Sequence, residues 1–220
     1  MHLPSPLYRL VETAPPAVEP LTLSEVKTFL RVDQSNDDNF ITGLITAARM
    51  FCEAETGRAL IERNYSLFLD RWPDEERYSA FDYRDAERRI PTPLVIAPRG
   101  IGLPYPPLVS VAQVNVYAAD NSVAVFDASN YFVDTAGAPG RLVLTLGAVP
   151  PLPWRIANGI EIQYTAGYGL AETDVPQLLR QGMMQIIAHL YEHRGDSPDQ
   201  ALLASGAAAI FKPYRLASLR

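Results

Sequence analysis

Cysteine is almost missing from this chain: Cys52 is the single one in 220 residues. An internal disulfide is therefore excluded, and the fold cannot depend on an oxidising compartment. Cys52 sits beside Phe51 in an apolar helical pattern and next to Glu53, so it reads as a buried thiol; a nucleophile would need a basic neighbour. Histidine is also scarce, with only His2, His189 and His193. No G-x-S-x-G elbow is present, and a Ser-His-Asp triad would have to borrow one of these histidines. Gly100-Ile101-Gly102 and Gly167-Tyr168-Gly169 lack the third glycine or lysine of a phosphate cradle and are read as turns. No stretch approaches the roughly 18 uninterrupted apolar residues of a transmembrane helix, so no membrane partner is expected. The first residues show neither a charged leader nor an apolar run of signal-peptide length, and the expectation is folding in a cytoplasm.

Positive charge is also in deficit, with 19 Lys and Arg against 25 Asp and Glu, a net charge of −6. Such a chain carries repulsion into any encounter with a phosphate backbone, which excludes general nucleic-acid packaging. What remains is a globular composition, 48% hydrophobic and 20% charged, long enough to bury a core without staples.

Residues 1–20 hold five prolines, Pro4, Pro6, Pro15, Pro16 and Pro20. They remove backbone donors and favour an extended arm that lies on something else. Thr22 with Glu25 forms a capping box, with Leu21 placed to staple onto Val26, and predicts a short helix bearing Val26, Phe29 and Leu30. Asn36 or Asp37 opens a longer helix in which Phe40, Ile41, Leu44, Ile45, Ala48 and Phe51 recur at helical spacing until Gly57. From residue 60 to 172 the period shortens to two, as in Tyr65, Leu67 and Leu69, with Ala118–Ser122 as a hairpin turn; this predicts an antiparallel β module. Within it, residues 71–89 carry five arginines and six acids, a mixed charge run that reads as a solvated or protein-contacting loop. Helix returns with Asp174 as N-cap, Pro176 in the first turn and a stripe of Leu179, Met183, Ile186, Ile187 and Leu190 running towards Gly195. Ser197 and Pro198 open another helix. After Asp199 the charges are Lys212, Arg215 and Arg220, so the tail is basic.

The expected fold class is α+β: a helical core of residues 21–58 and 174–205, an inserted β module of residues 60–172, and a docking tail of residues 206–220. His189-Leu190-Tyr191-Glu192-His193 matches the H-x-x-E-H spacing of a zinc peptidase helix, where both imidazoles share a face. That chemistry requires a further ligand, normally a glutamate, and none follows Glu192; a solvated helix face explains the same residues. No catalytic, cofactor or metal residue is assigned, and no cofactor is expected.

The order of several pieces resembles the head-tail connector proteins of tailed phages. These are Leu21-Thr22-Leu23-Ser24-Glu25-Val26-Lys27-Thr28-Phe29-Leu30-Arg31-Val32-Asp33, Asp37-Asp38, Ala47-Ala48-Arg49 and Glu55-Thr56-Gly57-Arg58-Ala59-Leu60. Downstream come Pro106–Val111, Tyr164–Gly169, His189–Arg194 and Pro213-Tyr214-Arg215. The resemblance implies a non-enzymatic ring, usually of twelve copies, under the portal of a phage or gene transfer agent capsid. It implies as partners the portal protein, a tail-side stopper or terminator, other copies of itself and double-stranded DNA in passage. It also implies that Phe211, Lys212, Pro213, Tyr214 and Arg215 reach the portal. The alternatives left beside it are a metal-dependent hydrolase using His189, Glu192 and His193, and a DNA-binding packaging accessory using the basic tail.

Overall fold

The computed structural model describes residues 8–72, 96–97 and 100–216. The charged run is outside the described residues from 73 onward, as are residues 1–7 of the arm and 217–220 of the tail. The chain divides into two units, one of residues 1–15, 63–166 and 218–220, the other of residues 16–62 and 167–217. The architecture is α+β, with helices in one unit and antiparallel sheets in the other.

The β unit contains β1 (Arg9–Glu12), β2 (Arg63–Leu69), β3 (Ile96–Ala97), β4 (Gly100–Gly102), β5 (Leu108–Tyr117), β6 (Val123–Val125), β7 (Tyr131–Asp134), β8 (Arg141–Leu144) and β9 (Ile160–Ala166). A five-stranded sheet runs in the order β1-β2-β9-β5-β6 and a four-stranded sheet in the order β3-β4-β8-β7. The period of two fixes which side chains go inside: Leu67, Leu69, Val114, Val116, Ile160 and Ile162 are buried. Register shifts between Leu108 and Ser110 and between Val111 and Gln113 break the β5 pairing with β9, as bulges do. Ala118 N–H donates to Ser122 O at 2.9 Å across the anticipated hairpin turn.

Two sequence expectations change here. The arm is not purely a segment awaiting another surface, because Arg9–Glu12 pairs with Tyr65–Phe68 as an edge strand. The unpaired backbone of β2 offers more hydrogen bonds to an extended segment than solvent-facing proline-rich chain could gain alone. Gly100-Ile101-Gly102 is not a turn but strand β4, paired with Arg141–Val143.

The helical unit contains α1 (Leu23–Leu30), α2 (Asp38–Thr56), α3 (Gln177–Glu192), α4 (Pro198–Ala204) and α5 (Ala207–Phe211), followed by a 3-10 turn at Lys212–Tyr214. The capping box of α1 is formed, with Glu25 N–H donating to Thr22 Oγ1 at 3.2 Å and Thr22 N–H donating to Glu25 Oε2 at 3.0 Å. Gly57 ends α2 at φ 70°, a conformation that costs glycine nothing. Asp174 does not cap α3: the N-cap is Pro176, and the Asp174 carboxylate accepts from Ala171 N–H at 3.0 Å in the preceding turn. The helix also stops at Glu192, short of Gly195. Ile41, Ile45, Ala48 and Cys52 of α2 join Leu179, Met183, Ile186 and Ile187 of α3 in one core. Leu60 and Ile61 are buried in this same core.

Candidate docking surfaces

The tail begins with a residue that points inward. Phe211 is fully buried, and its ring lies over Gly182 of α3, where an added Cβ would meet Cζ at 2.9 Å and Cδ1 at 3.1 Å. The absence of a side chain at Gly182 is what lets α5 approach α3 closely. Phe211 is therefore withdrawn as a portal-contact residue, since burying an aromatic ring in its own unit gains more than holding it in water. Lys212, Pro213 and Arg215 are exposed and Tyr214 is half-buried.

The exposed part of the tail is tied to the end of α2. Arg58 Nε donates to Tyr214 O at 2.7 Å, and its Nη1 donates to Tyr168 OH at 3.4 Å. Arg215 pairs with Glu55, and Leu216 N–H donates to Thr56 O at 3.3 Å. Burial pushes the Tyr168 hydroxyl above its ordinary range, with Arg58 opposing the shift, so it stays neutral. The tail thus presents Lys212, Pro213 and Tyr214 on a braced backbone.

Three arginine clusters organise the helical unit, none of them singled out as a site from sequence. Arg180 Nη2 donates to Glu25 Oε1 at 2.6 Å, its Nε to Pro20 O at 3.0 Å and its Nη1 to Gln177 Oε1 at 3.2 Å. Glu25 thereby serves both as partner in the α1 capping box and as counter-ion. Its carboxyl is held below the usual range, first by the Thr22 backbone hydrogen bond and, against desolvation, by Arg180. Buried Arg49 pairs with Glu19 at 2.8 Å and Glu53 at 2.9 Å, while Glu53 accepts from Leu60 N–H at 3.0 Å. The guanidinium of Arg194 lies 4.6 Å from the Phe40 ring centre and 5.6 Å from that of Tyr191. Arg49 and Arg180, buried and hydrogen-bonded in this way, fix how the helices meet more than they add strength, whereas Arg194 is exposed.

His189 and His193 do share a face, with rings stacked 4.5 Å apart, and one nitrogen of each is engaged by a protein oxygen. His189 Nε2 lies 2.8 Å from Asp196 Oδ2 and His193 Nδ1 lies 3.1 Å from His189 O. Glu192 is exposed. Among the described residues no group of three or more His, Cys, Asp or Glu could hold a metal ion. Burial drives the Cys52 thiol far above its ordinary range, the Glu53 charge adding to it, so it is inert as a nucleophile.

In the β unit the polar side of the large sheet centres on Glu161, itself buried. Its carboxylate accepts from Ser66 Oγ at 2.9 Å, Asn115 Nδ2 at 3.1 Å, Tyr117 OH at 2.7 Å and Gln163 Nε2 at 3.0 Å. Burial alone raises its pKa, yet these bonds outweigh it and hold the carboxyl below its usual range. Every donor comes from a neighbouring side chain, and the arrangement stitches three strands together without leaving a reactive group.

Among the described residues no nucleophile, base and oxyanion donor come together; what both units display are braced surfaces. The pattern of the family described as phage gp6-like head-tail connector protein matches residues 20–92. Over those residues, about a third of its length, the chain is similar to that family. It is also similar to a solved chain from the virion of a native gene transfer agent particle, at 20% identity and TM-score 0.71, covering 96% of this chain and 97% of that one. A chain from the neck of an empty particle of that kind, computed with C6 symmetry, matches at 22% identity and TM-score 0.70, with the same 96% and 97% coverage. Another, from the neck of a native particle computed with C12 symmetry, matches at 20% identity and TM-score 0.68, again over 96% and 97% of the two chains. At these identities the fold is what is shared. No curated protein matches the chain.

Proposed function

We infer that this protein is a structural connector at the neck of a tailed phage or gene transfer agent particle, where copies form a ring that joins capsid to tail and lets DNA pass. The observation that carries this reading is the connector-family match over residues 20–92. It is supported by a fold that follows chains of gene transfer agent virions and necks over nearly their whole length. No bond is made or broken; the work is done by shape and by contacts. A ring of twelve copies under the portal, with a stopper or terminator on the tail side, is the finer form of the proposal.

The physical chemistry agrees. Ring closure needs one face of each subunit to meet a different face of the next, and the protein offers braced, exposed segments. Lys212, Pro213, Tyr214 and Arg215 are the proposed portal contacts, with Phe211 as their anchor in the subunit's own core. The net charge of −6 suits a passage through which a duplex slides, because a wall rich in arginine would release counterions and retain it. A reconstruction of the intact particle around its portal vertex tests the reading. Density for this chain between portal and tail, with residues 212–215 against the portal, is expected. Density at any other site in the particle would overturn it.

A further inference from the structure

The segment between β8 and β9 contributes little to either sheet, yet its backbone is tied at several points. Thr145 N–H donates to Asn130 O at 3.0 Å, and Trp154 N–H donates to Tyr117 O at 3.1 Å. Trp72 Nε1 donates to Pro151 O at 2.7 Å, and Asn158 N–H donates to Asp70 Oδ1 at 2.8 Å. Pro150, Pro151 and Pro153 restrict the rest, and the Arg155 guanidinium lies 5.0 Å from the Tyr117 ring centre. The side chains do the opposite of packing: Leu146, Val149, Leu152, Trp154 and Ile156 are between 70% and 98% exposed. Apolar surface gathered on one segment in this way marks a contact surface, whereas scattered exposed residues do not. Because the backbone is already held, little ordering entropy remains to oppose docking.

We propose that this loop is a contact between copies, seating on a different face of the neighbouring copy of this same chain. The proposal rests on the connector reading above. Charge selects the occupant. From Leu142 to Trp154 the sequence contains no charged residue, and Arg155, the one charge that follows in the loop, is half-buried over the Tyr117 ring, so the loop's exposed apolar side chains offer little to a phosphate backbone or to a partner recognised through opposite charge. Two copies each carrying a net charge of −6 repel, and contact between them calls for a neutral, apolar patch. Interfaces between permanently associated identical subunits are the apolar class. Trp154 is the residue type that dominates such contacts. Ring closure is heterologous, so the loop meets another surface of the neighbour and not its own equivalent.

Photo-crosslinking in the particle tests this with the full chain. Trp154 is replaced by the photo-reactive residue p-benzoylphenylalanine, and Ile156 in a second variant; purified particles are irradiated and the products sequenced by mass spectrometry. The expected product joins two copies of this chain, linking the loop to a segment outside residues 145–159. A product with a different protein, or none at either position in particles that hold the chain at its normal ratio, overturns the proposal and leaves the connector reading standing. Particles that never contain the unmodified chain remove both. Ile156→Asp supplies a second readout in a side chain that supports no fold contact. At least a tenfold drop in copies per particle is expected, and normal incorporation counts against the loop.

Discussion

At the scale of single residues, the neighbours Phe211 and Lys212 separate folding from docking. Truncating a buried aromatic side chain costs about 3–5 kcal/mol, so Phe211→Ala should move the urea unfolding midpoint far down. Lys212→Ala should leave it where it is. Equal midpoints for the two variants would show that the ring does not sit over Gly182. Glu161 offers a pH test. Its folded-state pKa lies below the ordinary value of 4.5, so its network stabilises the fold fully above that unfolded-state value. The stabilisation is lost as pH falls through the lower folded-state value. The stability gap between the wild type and Glu161→Gln should therefore be widest near neutral pH and close on acidification. A gap independent of pH would contradict the bonding described. Sequence could not supply either residue's role. Phe211 ends a short alanine-rich stretch too brief for its spacing to mark one face, and the signal that it is buried is a glycine 29 positions earlier, meaningful only once α3 and α5 are packed. Glu161 stands between two isoleucines, a place where alternation predicts a solvent-facing side chain.

At the scale of elements, local chemistry was legible and remote chemistry was not. The α1 capping box, the Gly57 stop and the Ser197 cap depend on residues within a few positions of each other, so the sequence carries them whole. The start of α3 was misplaced because Asp174 is a good capping residue locally, but the Pro176 that follows fixes the helix entry instead. The Arg180–Glu25 pair spans 155 positions and leaves no local trace. The tail is an element held by Arg58, by the Arg215–Glu55 pair and by the Leu216 N–H bond to Thr56 O. Arg58→Ala should free it, so that trypsin cuts after Arg215 several-fold faster while cuts in α2 are unchanged. Unchanged cleavage after Arg215 would mean that Arg58 does not hold Tyr214. Deleting residues 212–220 should likewise leave a folded subunit, whereas deleting 211–220 removes the Phe211 anchor and should lower stability by the amount expected for Phe211→Ala. Thermal or urea unfolding of the two truncations distinguishes them.

At the scale of the whole molecule, the helical unit holds most of the residues that carried the connector resemblance, and the β unit holds Pro106–Val111, the start of Tyr164–Gly169 and an apolar loop on a tied backbone. The α+β class was readable because the hydrophobic period changes from 3.6 to 2 near residue 60 and back near residue 174. The join was not readable to the residue, since Leu60 and Ile61 look like the start of a strand but are buried with α2 and α3. Three histidines and one cysteine leave few ways to build a centre, and of these His189 is paired with Asp196. The central claim is that the protein joins capsid to tail by shape alone. Its most direct test is electron microscopy of particles from a producing strain lacking this gene, alongside the same strain complemented with the full chain. Heads without attached tails, restored to complete particles by complementation, is the predicted result; complete tailed particles in the absence of the chain would contradict it.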